Sequence, residues 1–199
     1  MTSIHKPLLL ALFTLVVHGA YAQVPAAGRL LVSSPTLDDV NFSESVLLLL
    51  IHEVNSGSAG ILLNRPTWVD PVESFPEIDV FEAYDDALYL GGPVAPTELV
   101  ALLEFDGLPP EGMRPILDTV YFSTNPEILS EIDFSAADRP RVRVYAGRAE
   151  WGPGQLAEEI AQGRWHVLRA EPEHVFAEDA ASLWQHMPLT GDAVTASLE

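Results

Sequence analysis

Between Val46 and Pro66 the chain reads VLLLLIHEVNSGSAGILLNRP, two apolar runs on either side of a turn. No other stretch restricts the fold as strongly. Val46 to His52 is apolar at consecutive positions, not at alternate ones. Strand side chains point to opposite faces in turn, so such a strand must be covered on both sides. Asn55-Ser56-Gly57-Ser58 supplies turn residues, and Gly60 to Asn64 returns as a second strand. Pro66 stops it, because proline has no amide proton for a ladder. A central hairpin inside a layered sheet is expected.

Further strands are expected at Arg29–Ser33, Ala87–Leu90, Leu117–Ser123 and Trp165–Leu168. Glu98–Phe105 suits strand or helix and is read as strand. RVRVYA, Arg141 to Ala146, alternates arginine with apolar residues, which predicts a half-exposed strand. Helices are expected at Val80–Tyr84, at Pro126–Ile132 behind an Asn125 cap, at Gln155–Gln162 and at Glu173–Met187. The last should bury Val175, Phe176, Leu183 and Trp184. Pro109–Pro115 reads as a loop. Strands and helices mix without a regular βαβ repeat, which indicates an α+β domain.

The N-terminus reads as a leader. One lysine, Lys6, precedes the apolar run Leu8 to Val17, and Ala20-Tyr21-Ala22 offers a small-x-small cleavage site. Residues 1–22 are therefore expected to be a signal peptide, and the product periplasmic or secreted, beginning at Gln23. The run is too short for a membrane span, which needs about 20 residues. Leu47 to Ile51 is cut short by His52 and Glu53. Residues 23–27 read as a linker, 28–190 as one domain and 191–199 as a flexible tail.

Without the leader the chain carries nine arginines, no lysine and 29 acids, a net charge of −20. Such a surface repels phosphate backbones, so direct nucleic-acid binding is disfavoured. An unknown protein or a neutral small ligand is the expected partner. With no cysteine there is no disulfide, thiol nucleophile or thiolate zinc site.

YAGRAEWGPGQLAEEIAQGRW, Tyr145 to Trp165, looks like a strand running through glycines into a helix, the setting of many phosphate sites. Its spacing, Gly147-x4-Gly152-x-Gly154, matches neither a dinucleotide fingerprint nor a Walker loop. Pro153 removes an amide donor and Glu150 adds negative charge. The architectural reading accounts for more: the glycines shape the backbone, Trp151 and Trp165 fill the interior, and Gln155 bonds to backbone at the helix start. No cofactor motif and no metal-ligand spacing is present. His52-Glu53 is the most suggestive pair, either as a histidine bonded to the hairpin turn or as the centre of a metal- or carboxylate-dependent hydrolase. No catalytic residue is assigned. The binding candidates are His52, Glu53, Asn64, Arg65, Gly91, Gly92, Trp151 and Gln155.

Several blocks in order resemble the AlgH/YqgE family of bacterial proteins. Leu31, Pro35, Phe42, Ser45 and Val46 come first, then His52, Gly57, Gly60 and Asn64-Arg65-Pro66. Leu90-Gly91-Gly92-Pro93-Val94 follows. Tyr145-Ala146-Gly147, Trp151, Gly154-Gln155-Leu156, Glu159-Ile160, Trp165, Phe176 and Trp184 complete the set. The resemblance implies a compact α+β domain whose mixed, bifurcated sheet includes a small barrel with peripheral helices. It also implies a family with no established activity and a label of transcriptional regulator. This chain departs from the family in its leader, in Glu44 where a basic residue is common, and in Ala157 where Glu often follows Gly-Gln-Leu. The combined reading is an exported, non-enzymatic binding or regulatory module.

Overall fold

The expected hairpin stands inside a nine-stranded sheet. The structure, a computed structural model, describes residues 24–136 and 138–189. The expected leader and the tail at 191–199 lie outside the described residues. The strands are β1 (Arg29–Ser33), β2 (Val46–Glu53), β3 (Gly57–Leu62), β4 (Leu88–Leu90), β5 (Val94–Glu104), β6 (Arg114–Pro115), β7 (Val120–Ser123), β8 (Arg141–Trp151) and β9 (Trp165–Arg169). Their order is β6-β7-β5-β8-β3-β2-β1-β9, with β4 attached to β8 off that path. All pairings are antiparallel except β4 with β8.

The sheet divides at β8. Its first half, Arg141–Ala146, pairs with β5 and β4, and its last residues, Ala149–Trp151, pair with β3. One strand thus serves two sheets, which is the bifurcation expected of the α+β fold. Gly147 sits where the partner changes, with φ at +74°. Gly91 wedges into the same split: its amide donates to the Ala146 carbonyl and its carbonyl accepts from Leu62, both at 2.8 Å.

Alternation along the strands feeds three apolar layers. From β1, Leu30 and Val32 enter the central core while Leu31 faces outward into a second cluster. On β2, Val46, Leu48 and Leu50 face the central core and Leu47 and Leu49 face that second cluster. Both faces of β2 are therefore buried, as its unbroken apolar run requires. The helix α2 (Gln155–Ala161) covers the second cluster through Leu156. A third cluster lies on the other side of β5 and β8, where Leu99, Leu103 and Val144 meet Phe75, Phe81, Ile128 and Phe134. At about 1.5–3 kcal/mol per fully buried large aliphatic side chain, these layers supply the main driving force for folding.

Several elements differ from expectation for identifiable reasons. The segments at Asp79–Glu82 and Pro126–Glu131 wind as 3-10 helices, the second still capped by the Asn125 side chain. A short helix, α1 (Pro71–Ser74), was not anticipated; Asp70 caps it. β5 begins at Val94, four residues before Glu98, through a register shift. Within the expected loop, Arg114–Pro115 forms the short edge strand β6.

The expected helix over 173–187 breaks into α3 (Pro172–Val175) and a 3-10 helix, Ala180–His186. Arg143 explains the break. Its guanidinium donates to the carbonyls of Val175 and Ala177, which a continuous helix would use for its own ladder. Asp179 then restarts the winding by accepting from the Ser182 amide.

Candidate functional site

In the glycine stretch Trp151, Gln155, Glu159 and Trp165 are tied together by packing and hydrogen bonds. Trp151 closes β8, and the turn Gly152-Pro153-Gly154 leads into α2, with Gly154 at φ +77°. Gln155 Oε1 accepts from the Gly152 amide at 3.0 Å, so one of the amides an anion would need is already used. Gln155 Nε2 donates to Glu159 Oε1. The other oxygen of Glu159 accepts from both indoles, Trp151 Nε1 at 3.1 Å and Trp165 Nε1 at 2.7 Å. The two rings meet edge to face, and Phe42 packs against both. One carboxylate thus satisfies two indole donors while their rings fill the second cluster. Glu159→Gln should cost about 1–3 kcal/mol, because whichever way the amide turns its nitrogen faces a donor, the two indole N–H groups or Gln155 Nε2. Urea denaturation checks this; an unchanged midpoint would show that the carboxylate is dispensable.

Gly91 and Gly92 belong to the same kind of device. A Cβ at Gly91 would run into the Gly147 carbonyl, and one at Gly92 into the Arg148 backbone. These glycines allow two backbones to touch where the sheet forks.

Asn64 and Arg65 stand at the far end of the hairpin from His52 and Glu53, since Leu47 pairs with Leu62 there and His52 with Ser58 at the other end. The buried Asn64 side chain accepts from the Val46 amide at 3.0 Å and donates to the Glu44 carbonyl at 2.9 Å. Arg65 reaches the carbonyls of Ser43 and Glu44 and the Ser45 hydroxyl. Burial lowers its pKa, opposed by nearby Glu44. Together they clamp Glu44 at φ +50°, a left-handed geometry that is costly for a residue with a Cβ. The candidate positions therefore split into two groups at opposite ends of the hairpin.

At the turn end, His52 Nδ1 and the Ser58 hydroxyl lie 2.8 Å apart across the hairpin. The histidine is thus bonded to its cross-strand neighbour in β3 and not to the turn itself. Glu53, the next residue on the strand, projects to the opposite face. Among the described residues no three His, Cys, Asp or Glu side chains are placed to hold a metal ion. Glu53 instead lines a cleft of about 620 Å³ with Ser56, Ser58, Val94, Glu150 and Trp151. Gly57 fixes its wall at φ +110°, packed so tightly on the Trp151 carbonyl that no Cβ would fit.

A family model described as AlgH-like matches residues 30–190. The chain belongs to the AlgH-like family. It is 35% identical over 170 residues to a UPF0301 protein of Thermobifida fusca, covering 80% of this chain and 84% of that one. A UPF0301 protein of Streptomyces avermitilis is also 35% identical, over 175 residues, covering 80% and 83%. Among solved structures, a crystal structure of a Corynebacterium diphtheriae protein superposes with a TM-score of 0.70 at 27% identity, covering 83% of this chain and 89% of that one. The solution structure of AlgH from Pseudomonas aeruginosa gives 0.64 at 23% identity, covering 87% and 95%, a likeness of fold.

In this AlgH-like chain two residues escaped sequence reasoning. Arg143 is buried, not half-exposed, and it lies over the Tyr89 ring with its centre 4.8 Å away. A signal was available: in the period-two register Arg143 shares a face with Tyr145, whose ring is fully buried. Glu159 is the other: the family resemblance includes it, but its bonds to the two indoles were not foreseen. Beside Arg143 lies a smaller cleft, about 350 Å³, that includes Tyr84, Phe134, Arg139, Arg141 and Phe176. Its cations are committed, Arg139 to Asp85, Arg141 to Glu104 and Arg143 to carbonyls.

Proposed function

We propose that this AlgH-like protein is an exported binding module that takes a neutral small ligand in the cleft between the β2–β3 turn and the end of β8. The cleft itself carries the reading. Ile51, Ala59 and Val94 supply apolar surface, and Ser56, Glu53 and Glu150 supply polar groups around it. Its volume falls within the roughly 300–1,000 Å³ typical of small-ligand sites, and the Gly57 contact holds it pre-formed. Two carboxylates at the cleft, on a chain of strongly negative charge, disfavour an anionic ligand. The same charge speaks against the family's transcriptional label as a description of direct DNA contact.

Amide chemical shifts during a screen of uncharged fragments are the test. Shifts concentrated on residues 56–59, 94 and 150–152 are expected, and Val94→Arg should abolish them while the fold stays intact. Shifts scattered over the surface, or unaffected by Val94→Arg, would remove the cleft from consideration. Export is tested separately by sequencing the N-terminus of the native protein: Gln23 is expected, and an intact Met1 would exclude cleavage.

A further inference from the structure

Of the four tryptophans, Trp151 and Trp165 are buried, and Trp184 is half-buried with its indole donating to the Ser33 carbonyl. Trp68 is fully exposed. A single exposed apolar residue needs no explanation, but the segment carrying Trp68 is held in place with little of its own surface buried. Both the amide and the hydroxyl of Thr67 donate to the Leu88 carbonyl, at 2.9 and 2.7 Å. The Val69 amide donates to the Thr67 hydroxyl, and Asp70 accepts from the Val72 amide. The helix α1 that follows buries none of its residues, and Val69 and Val72 add exposed apolar surface next to Trp68. Local hydrogen bonds thus hold the backbone on either side of an indole in water, with exposed valines one and four residues on. Apolar surface displayed in this way marks a contact site, and tryptophan dominates the energetics of many interfaces.

The surroundings specify the partner's charge. From Pro66 to Met113 the chain has no arginine, lysine or histidine. Asp70, Glu73, Glu77, Asp79 and Glu82 are all exposed, and none is in an ion pair among the described residues. A second copy of this chain would bring like charge to the same face, and an anionic lipid surface is repelled for the same reason. A cationic segment meets attraction at long range and can place a guanidinium on the indole face at contact.

We propose that the Trp68 face docks an arginine-rich segment of another protein, with arginine stacked on Trp68 and apolar side chains against Val69 and Val72. The surface is built from elements other than those of the hairpin cleft, so the proposal stands whether or not that cleft binds a ligand.

Tryptophan emission of the full chain, titrated with an alternating Arg-Leu decapeptide, is the test. A change in emission that weakens with added salt is expected. Trp68→Ser should lower affinity at least tenfold, read by calorimetry because that variant lacks the reporter. Val40→Ser, at an equally exposed position elsewhere, should leave affinity unchanged. Thermal melts of both variants should match the parent, since neither side chain is buried. Equal binding by the Trp68→Ser variant would overturn the proposal by showing general attraction to the acidic surface. Equal binding of a Ser-Leu decapeptide would overturn it in favour of a purely apolar site. Concentration-dependent dimerisation lost on Trp68→Ser would overturn it in favour of a second copy.

Discussion

Gly147→Ala is expected to lose about 4 kcal/mol, a large part of the roughly 5–15 kcal/mol that holds a domain of this size together. Two costs combine. A residue with a Cβ is strained by about 1–3 kcal/mol at φ +74°. The new methyl also collides with the Gly92 carbonyl and meets the Val94 carbonyl at 3.0 Å. Both are backbone atoms of the chain crossing the fork, so neither can rotate away, and overpacking of this kind adds about 1–3 kcal/mol. Gly163→Ala is the matched control. Its φ is +73°, but a Cβ there meets nothing within 4 Å. It should lose only about 1–2 kcal/mol, the left-handed cost alone. Urea midpoints for the two variants decide the matter. Equal losses would mean that the fork tolerates a side chain and that its crowding plays no part in stability.

Arg143→Met should cost about 2–4 kcal/mol, from two carbonyls left without a donor, and detach the C-terminal segment before the rest unfolds. Among the described residues the guanidinium is the only side chain that bonds the Val175 and Ala177 carbonyls, and it also faces Asp86 at 3.6 Å and the Tyr89 ring. Methionine fills similar space but leaves buried carbonyls without donors. Arg143→Lys should recover little, because one ammonium on a flexible stem does not reproduce a planar fork reaching two carbonyls. Amide hydrogen exchange locates the effect. Protection should fall first over Val175–Met187, with β1 and β2 still protected. Uniform loss across the sheet would show that Arg143 supports the whole core and not this junction.

Much of the fold was legible in the residues. The unbroken apolar run of β2 demanded cover on both faces, and it has it. The hairpin formed, though its turn is tighter than expected, with Gly57 and Ser58 already in β3; Asn125 capped its helix, and Gly163 ended α2 at φ +73°. Local chemistry decided each of these, so local sequence sufficed. In the glycine stretch the two tryptophans as interior anchors and the Gln155 bond to backbone were also readable.

The candidate site was less legible. His52, Glu53 and Trp151 come together at the turn end of the hairpin, whereas Asn64 and Arg65 belong to a clamp on Glu44 one hairpin-length away. Nothing in the sequence separates a polar residue that binds a ligand from one that holds a strained carbonyl. The partners of Asn64 lie 18 and 20 positions back along the chain.

The chain by itself determined its charge, its lack of thiols, its buried hairpin and local caps such as Asn125 and Gly163, because those depend on residue chemistry and on neighbours within one turn. Tertiary structure alone decided that β8 serves two sheets, that Arg143 turns inward to break a helix, and that Glu159 joins two indoles. Each of those rests on groups brought together from distant parts of the chain, and an alternating pattern of arginine and valine reads the same whether its polar face meets water or a second segment.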